Sequence, residues 1–228
     1  MDSIEQEMVR HILNYLSNKS SDSLWSLIRK FGPHPMSESW DIRFETSELF
    51  DIELFKEYRK RQLFIRHFSW AVPSPSAIEE ITRFLCLGND KRSPTPVLEI
   101  NAGKGLWSHL LELQGVQITA TDVVLRGNSF TSVLPAEATQ AVEKYFPIEG
   151  CLMTCWPDYA TTYANDALQL ALSRNLKKFI YIGEASGGCT GEISRDLLNQ
   201  LTLFQEVKIP RWWGIYDQIF LYLKKESN

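Results

Sequence analysis

The sequence has few of the features that mark an exported, membrane-bound or metal-dependent protein. No stretch reaches the roughly 18 apolar residues that a membrane span requires. The N-terminus, Met1-Asp2-Ser3-Ile4-Glu5-Gln6-Glu7, is acidic and has no cationic segment leading into an apolar run, so no secretory signal is expected. There are four cysteines, Cys86, Cys151, Cys155 and Cys189. Only Cys151 and Cys155 lie close together, in a predicted strand, and their spacing fits no zinc pattern and has no histidine cluster beside it. No metal is expected, and the cysteines read as reduced thiols of a cytoplasmic protein. Lysine and arginine are never concentrated and the net charge is −4. Nucleic acid is not favoured as a partner, because phosphate binding needs a clustered basic face. The densest basic stretch holds Lys56, Arg59, Lys60, Arg61 and Arg66, and reads as the solvated side of a helix. No Ser–His–Asp order occurs, and His67 and His109 are expected to be structural or solvent-exposed.

What is present is an ordinary soluble core. The chain has 228 residues, 44% of them hydrophobic and 23% charged. That supports one large domain, or one domain of typical size with a smaller appendage. The first 70 residues read as helical. Ile4, Met8, His11, Ile12, Tyr15 and Leu16 recur at helical spacing after a Ser3 cap. A second helix carries Leu24, Trp25, Leu27 and Ile28, capped by Asp22 or Ser23 and stopped by Gly32-Pro33-His34-Pro35. A third is expected from Ser47 to about Arg66. Residues 1–70 are thus expected to form a helical extension, as cleft cover or dimer face, and residues 71–228 the main domain. Ser74 and Pro75 then open a further helix that runs to about Leu87, closed by Gly88-Asn89-Asp90 and a loop over Lys91–Pro96.

Beyond that point strands and helices alternate. Strands are expected at Pro96–Ile100, Val116–Thr121, Cys151–Cys155 and Lys178–Ile182. Helices are expected at Leu106–Leu113, 136–146, Tyr163–Ser173 and Glu192–Leu203. This alternation argues for a parallel sheet covered on both faces. Glu206–Ile209 and Gln218–Leu223 have no helix between them, so they should form an antiparallel hairpin over Pro210–Asp217. Arg211, Trp212, Trp213 and Asp217 fall at its tip, where the adjacent tryptophans form either a substrate wall or, as favoured, a contact with the N-terminal helices.

The most informative segment is Val97-Leu98-Glu99-Ile100-Asn101-Ala102-Gly103-Lys104-Gly105. A strand runs directly into glycines that open a helix. Glycine permits a sharp turn and close approach to a ligand, and the helix start offers unpaired N–H groups. Asn101 stands where a first glycine is usual, and asparagine tolerates positive φ better than most residues. Asp122 closes the next strand, at the spacing where a carboxylate binds ribose hydroxyls. Glu99 lies in an apolar strand and is expected to reach loop amides or a cationic ligand, since an unpaired buried carboxylate is costly.

These residues resemble class I S-adenosylmethionine-dependent methyltransferases. The matching positions are Glu99, Asn101, Ala102, Gly103 and Gly105 after the first strand and Asp122 after the second. From about Phe68 to Leu223 the chain is also similar to a group of poorly characterised bacterial methyltransferase-like proteins. Trp70-Ala71-Val72-Pro73-Ser74, Cys155-Trp156-Pro157-Asp158-Tyr159 and Ile182–Thr190 carry that likeness. The resemblance implies an α/β Rossmann-like methyltransferase fold. Its sheet is mostly parallel and seven-stranded, with an antiparallel strand from the C-terminal hairpin. It implies S-adenosylmethionine as cofactor and methyl transfer to a small-molecule or protein acceptor. Base-amine methyltransferases carry Asp or Asn, then Pro-Pro-Tyr, where this sequence has Trp156-Pro157-Asp158-Tyr159. Base-amine methylation is therefore not carried over. Trp156 is expected at the cofactor or, with Asp158, Tyr159 and Glu184, on the acceptor side, where Trp156 and Tyr159 would flank a flat or cationic group. A non-catalytic binding protein on the same fold, and a nicotinamide enzyme, are the alternatives.

Overall fold

The computed structural model describes residues 3–18, 20–33, 48–88, 93–184 and 188–226, without the side chains of Ser21 and residues 48–54. Several expected features lie outside the described residues: the stop at His34-Pro35, the start at Ser47, Asn89 and Asp90 with the first part of the Lys91–Pro96 loop, and Ala185, Ser186 and Gly187.

Four helices precede the sheet among the described residues: α1 (Ser3–Asn18), α2 (Ser21–Phe31), α3 (Glu48–His67) and α4 (Pro75–Cys86). The apolar stripe of α1 buries Met8, Ile12 and Tyr15. The N-cap of α2 is Ser20 rather than the expected Asp22 or Ser23, because Ser21 is already helical; the Ser23 hydroxyl instead donates back to the Ser20 carbonyl at 2.6 Å. At α4 the Ser74 side chain accepts from the Ala77 N–H and Pro75 opens the helix, as its sequence demands.

The rest of the chain runs β1 (Val97–Ile100), α5 (Leu106–Glu112), β2 (Ile118–Asp122), β3 (Val133–Pro135), α6 (Ala138–Tyr145), β4 (Cys151–Cys155), α7 (Tyr163–Ser173), β5 (Lys178–Gly183), α8 (Arg195–Leu198), β6 (Leu201–Lys208) and β7 (Gln218–Lys224). The seven strands form one sheet in the order β3-β2-β1-β4-β5-β7-β6. β1, β2, β3, β4 and β5 are mutually parallel, and β7 runs antiparallel to both β5 and β6. This is the mostly parallel, hairpin-ended Rossmann-like methyltransferase sheet that the resemblance implies.

The expected helix over Glu192–Leu203 is a correction. Only Arg195–Leu198 is helical, and Leu201 already belongs to β6. Leu197 and Leu201 sit at helical spacing, which misled the pattern. A register shift between Leu203 and Gln205 also breaks the two-residue alternation that would announce a strand. β3 has no counterpart in the expected elements. It is three residues long, partly exposed and lies at the sheet edge, so it buries too little to leave a hydrophobic signature.

Alternation along each strand divides the core between two faces. Val97, Met153, Ile180, Ile219 and Leu221 join the face packed by α1, α2, α4 and α5. Leu98, Leu152, Phe179 and Phe220 join the other, under α6, α7 and α8. The N-terminal helices share the first of these cores, with Phe64 and Phe68 of the α3 end stacked at 4.7 Å and Phe68 on Phe130 at 5.8 Å. No helix of the described residues is long and apolar enough to cross a membrane.

Candidate cofactor and acceptor site

The strand order reverses between β1 and β4, so the crevice beyond their C-terminal ends is where such a sheet binds ligands. The loop after β1 is built for that place. Asn101, Gly103 and Gly105 all adopt left-handed backbone, with φ of 60°, 58° and 70°. Asparagine thus does what the missing glycine would do, and its side chain adds a function. Its Nδ2 donates to the carbonyls of Cys155 and Trp156, at 3.0 and 2.9 Å, tying the β1 loop to the β4 loop across the crevice. Gly105 is required for a second reason: a Cβ there would lie 2.8 Å from Thr131 Cγ2 and 3.1 Å from Val133 Cγ2.

Asp122 meets this loop from the end of β2. Its Oδ2 accepts the Gly103 N–H and its Oδ1 the Val124 N–H, both at 2.8 Å. The Ala102 N–H donates to the Thr121 carbonyl at 3.0 Å. The loop is therefore held by β2, and Asp122 is buried with one backbone donor on each oxygen. Each oxygen keeps a second lone pair for a ligand hydroxyl. Val123, Val124 and Leu125 stand exposed immediately beyond it. Sequence reading passed over this apolar rim, although three consecutive apolar residues after a strand-ending aspartate are a visible signal.

Glu99 does not reach the loop amides. Strand alternation turns it with Val97 into the face covered by α5, where it accepts from the Ser108 hydroxyl while its Oε1 is buried without a partner. Burial pushes its carboxyl up to about 8, the Ser108 hydrogen bonds pull it back, and the charges of Asp122 and Glu112 push it further up. At neutral pH the group is largely a neutral acid.

Across the crevice, Trp156 leaves β4 with φ of 54°, a strained value for a bulky residue. Four separate segments hold it. Its N–H donates to the Ile182 carbonyl at 2.8 Å. Its indole donates to Asp217 Oδ1 at 2.8 Å. Trp70 stacks on it at 4.8 Å with 14° between the planes. Arg61, from α3, places its guanidinium carbon 5.5 Å from the Trp156 ring centroid and 6.0 Å from that of Trp70.

Asp217, which the sequence placed only at the hairpin tip, carries the most perturbed carboxylate of this half. Burial pushes it up to about 7, the Trp156 indole draws it down, Glu184 pushes up, and Arg61 and Arg211 draw it down. Glu184 is buried at the end of β5 and works as a clamp. Its Oε1 accepts the Tyr216 N–H of the hairpin tip at 2.8 Å, and its Oε2 accepts the Cys189 N–H. Asp158 pairs with Thr190 through the backbone, and its N–H donates to the Tyr163 hydroxyl at 2.9 Å. Tyr159 is exposed. At the hairpin tip Trp212 is buried edge-on against Phe64, at 5.6 Å, whereas Trp213 is exposed. His109 and His67 lie away from this crevice, His109 against the Tyr15 hydroxyl and His67 against Glu5.

No protein-family model matches the sequence, and no curated protein matches it. Solved structures do match. One is a Burkholderia thailandensis 1,6-didemethyltoxoflavin-N1-methyltransferase with bound 1,6-didemethyltoxoflavin and S-adenosylhomocysteine, at 15% identity over 78% of this chain and 88% of that one, with a TM-score of 0.49. Another is magnesium protoporphyrin IX methyltransferase from Synechocystis PCC 6803 with bound SAM, at 12% identity over 66% and 79% of the two chains and a TM-score of 0.47. A third is a protein of the NADB-Rossmann superfamily from Streptococcus agalactiae, at 12% identity over 69% and 72% and a TM-score of 0.44. Likeness at this level carries no cofactor or substrate with it, and the fold assignment rests on the strand order itself.

Proposed function

We propose that the protein is an S-adenosylmethionine-dependent methyltransferase acting on a small-molecule or protein acceptor. The observation that carries the reading is the junction of the Asn101–Gly105 loop with Asp122 at the β1/β4 switch point, in a sheet whose β7 is antiparallel. The residues fit the cofactor. Asp122 has lone pairs for two ribose hydroxyls, Gly103 brings backbone close, and Val124 and Leu125 offer an apolar edge for a base. Ala102 and Trp156 belong to the same loops, whereas Glu99 stays behind them under α5. Bound there, S-adenosylmethionine supplies a methyl group already activated as a sulfonium.

Little is then asked of the protein except alignment and a place for the acceptor's proton. Asp217 is the carboxylate of the acceptor half whose proton affinity suits a base. A carboxylate pushed up to about 7 accepts a proton near neutral pH far better than an ordinary one. Trp156 orients it through the indole hydrogen bond, and Glu184 fixes the hairpin tip that carries it. Asp158 and Tyr159 form the outer wall. Asn101 also weakens the non-catalytic alternative, because the turn survives the loss of glycine.

The test is transfer of label. Protein incubated with methyl-labelled S-adenosylmethionine and a panel of small acceptors and peptides should release S-adenosylhomocysteine in step with labelled product. Cofactor binding without turnover on any acceptor would favour the non-catalytic reading.

A further inference from the structure

We infer that Arg61 anchors a carboxylate of the acceptor, so that the acceptor is a flat, anionic molecule held between this guanidinium and the aromatic rim of the crevice; this rests on the methyltransferase reading above. The starting point is an incomplete set of bonds. Arg61 comes from the C-terminal half of α3 and is half-buried against Trp70 and Trp156. Its Nε is fully buried and has no hydrogen-bond partner, and it forms no ion pair among the described residues. Two indole faces stabilise its charge but offer no in-plane lone pair to its five N–H groups. A charge-assisted acceptor on the rest of the half-buried guanidinium would give the cation the partner it lacks.

The charges nearby do not fill the role. Asp217 lies close enough for Arg61 to lower its pKa, yet its Oδ1 is taken by the Trp156 indole. Glu184 has both oxygens on backbone N–H groups. Glu184 is thus committed to holding the loops together and Asp217 keeps one oxygen for a proton, while the cation is left to bind an anion. A planar guanidinium favours a carboxylate, which accepts two parallel N–H groups.

The surroundings select the rest of the ligand. Trp70, Tyr159 and Tyr216 expose 41%, 69% and 67% of their surface around the post-β4 loop and hairpin tip. Exposed rings offer faces for a flat molecule. A carboxylate on Arg61 would leave the far edge of the ring system to the methyl donor.

The experiment titrates the full-length protein, with and without saturating S-adenosylhomocysteine, with 2-naphthoate and with 2-naphthamide, its uncharged analogue. Wild-type protein should prefer the naphthoate by about tenfold or more, the difference a charge-assisted pair supplies. R61M should erase that preference while S-adenosylhomocysteine binding stays within about twofold. If R61M melts early, R61K takes its place and should lose a smaller part of the preference. Equal binding of the two probes, binding of neither, or an unchanged preference in a folded variant would overturn the inference. So would a tenfold loss of S-adenosylhomocysteine affinity in R61M, which would assign the cation to the cofactor. Naphthoate selectivity without any S-adenosylhomocysteine binding would keep the anchor and remove the methyltransferase reading.

Discussion

The two sides of the β1/β4 crevice are built by opposite means. On the β1–β2 side, Asn101, Gly103, Gly105 and Asp122 lie within 22 residues of sequence, and backbone N–H groups and left-handed turns do the work. On the β4–β5–β7 side, Arg61, Trp70, Trp156, Glu184 and Asp217 come from four distant stretches of sequence, and side chains do the work. A backbone-built site tolerates little change and recurs across sequences that differ elsewhere. A side-chain-built site can be rewired by substitution. Under the proposed function the first side would hold the cofactor and the second the acceptor.

The contrast can be broken most severely at Gly105. Gly105→Val puts a β-branched residue at φ of 70° and a Cβ 2.8 Å from Thr131 Cγ2. It should lower stability by about 2–4 kcal/mol, read as a shifted urea midpoint, and abolish cofactor binding. Asp217→Asn acts on the other side alone. Asparagine can still accept from the Trp156 indole, so folding should persist while turnover falls by about 10²-fold. The inflection expected near the Asp217 pKa of about 7 should leave the pH–rate profile, with cofactor affinity unchanged. A variant that lost affinity and rate together would merge the two sides.

Legibility followed the same division. The β1 loop and Asp122 could be read because a local backbone demand leaves a local residue signature: glycine or asparagine where φ is positive, and an acid closing a strand. Glu99 was legible as an acid out of place, but not its partner, since Ser108 lies on the next helix and only the strand's alternation decides which way Glu99 points. Asp217 reads as a turn residue and Arg61 as one cation of a solvated helix face; only the fold brings them to Trp156. β6 was half-legible, its bulge hiding the period of its first half.

Two smaller effects sharpen the account. Asp122→Ala removes a carboxylate that also holds Gly103 and Val124, and should weaken S-adenosylhomocysteine binding by about tenfold or more in calorimetry. Unchanged affinity would remove Asp122 from the cofactor. The smallest effect is on stability. Glu99 titrates at about 8 in the folded chain, against an ordinary glutamate value of 4.5 once unfolded. A raised acid favours folding below its unfolded pKa and loses that contribution as pH rises through the folded one. Asp217 acts in the same direction up to about 7, so the window from pH 7 to about 8 belongs chiefly to Glu99. The wild-type melting temperature should therefore keep falling across that window, and Glu99→Gln should flatten the fall by a few degrees, on the order of what 1 kcal/mol produces. An equally steep fall in the variant would show that Glu99 is not the titrating group.

The central claim is the identity of the cofactor, and calorimetric titration of the wild-type chain tests it most directly. S-adenosylmethionine and S-adenosylhomocysteine should each bind in the micromolar range while NAD gives no heat. Binding of NAD in their place, or silence from all three, would contradict the assignment of the Asn101–Gly105 loop and Asp122 to S-adenosylmethionine.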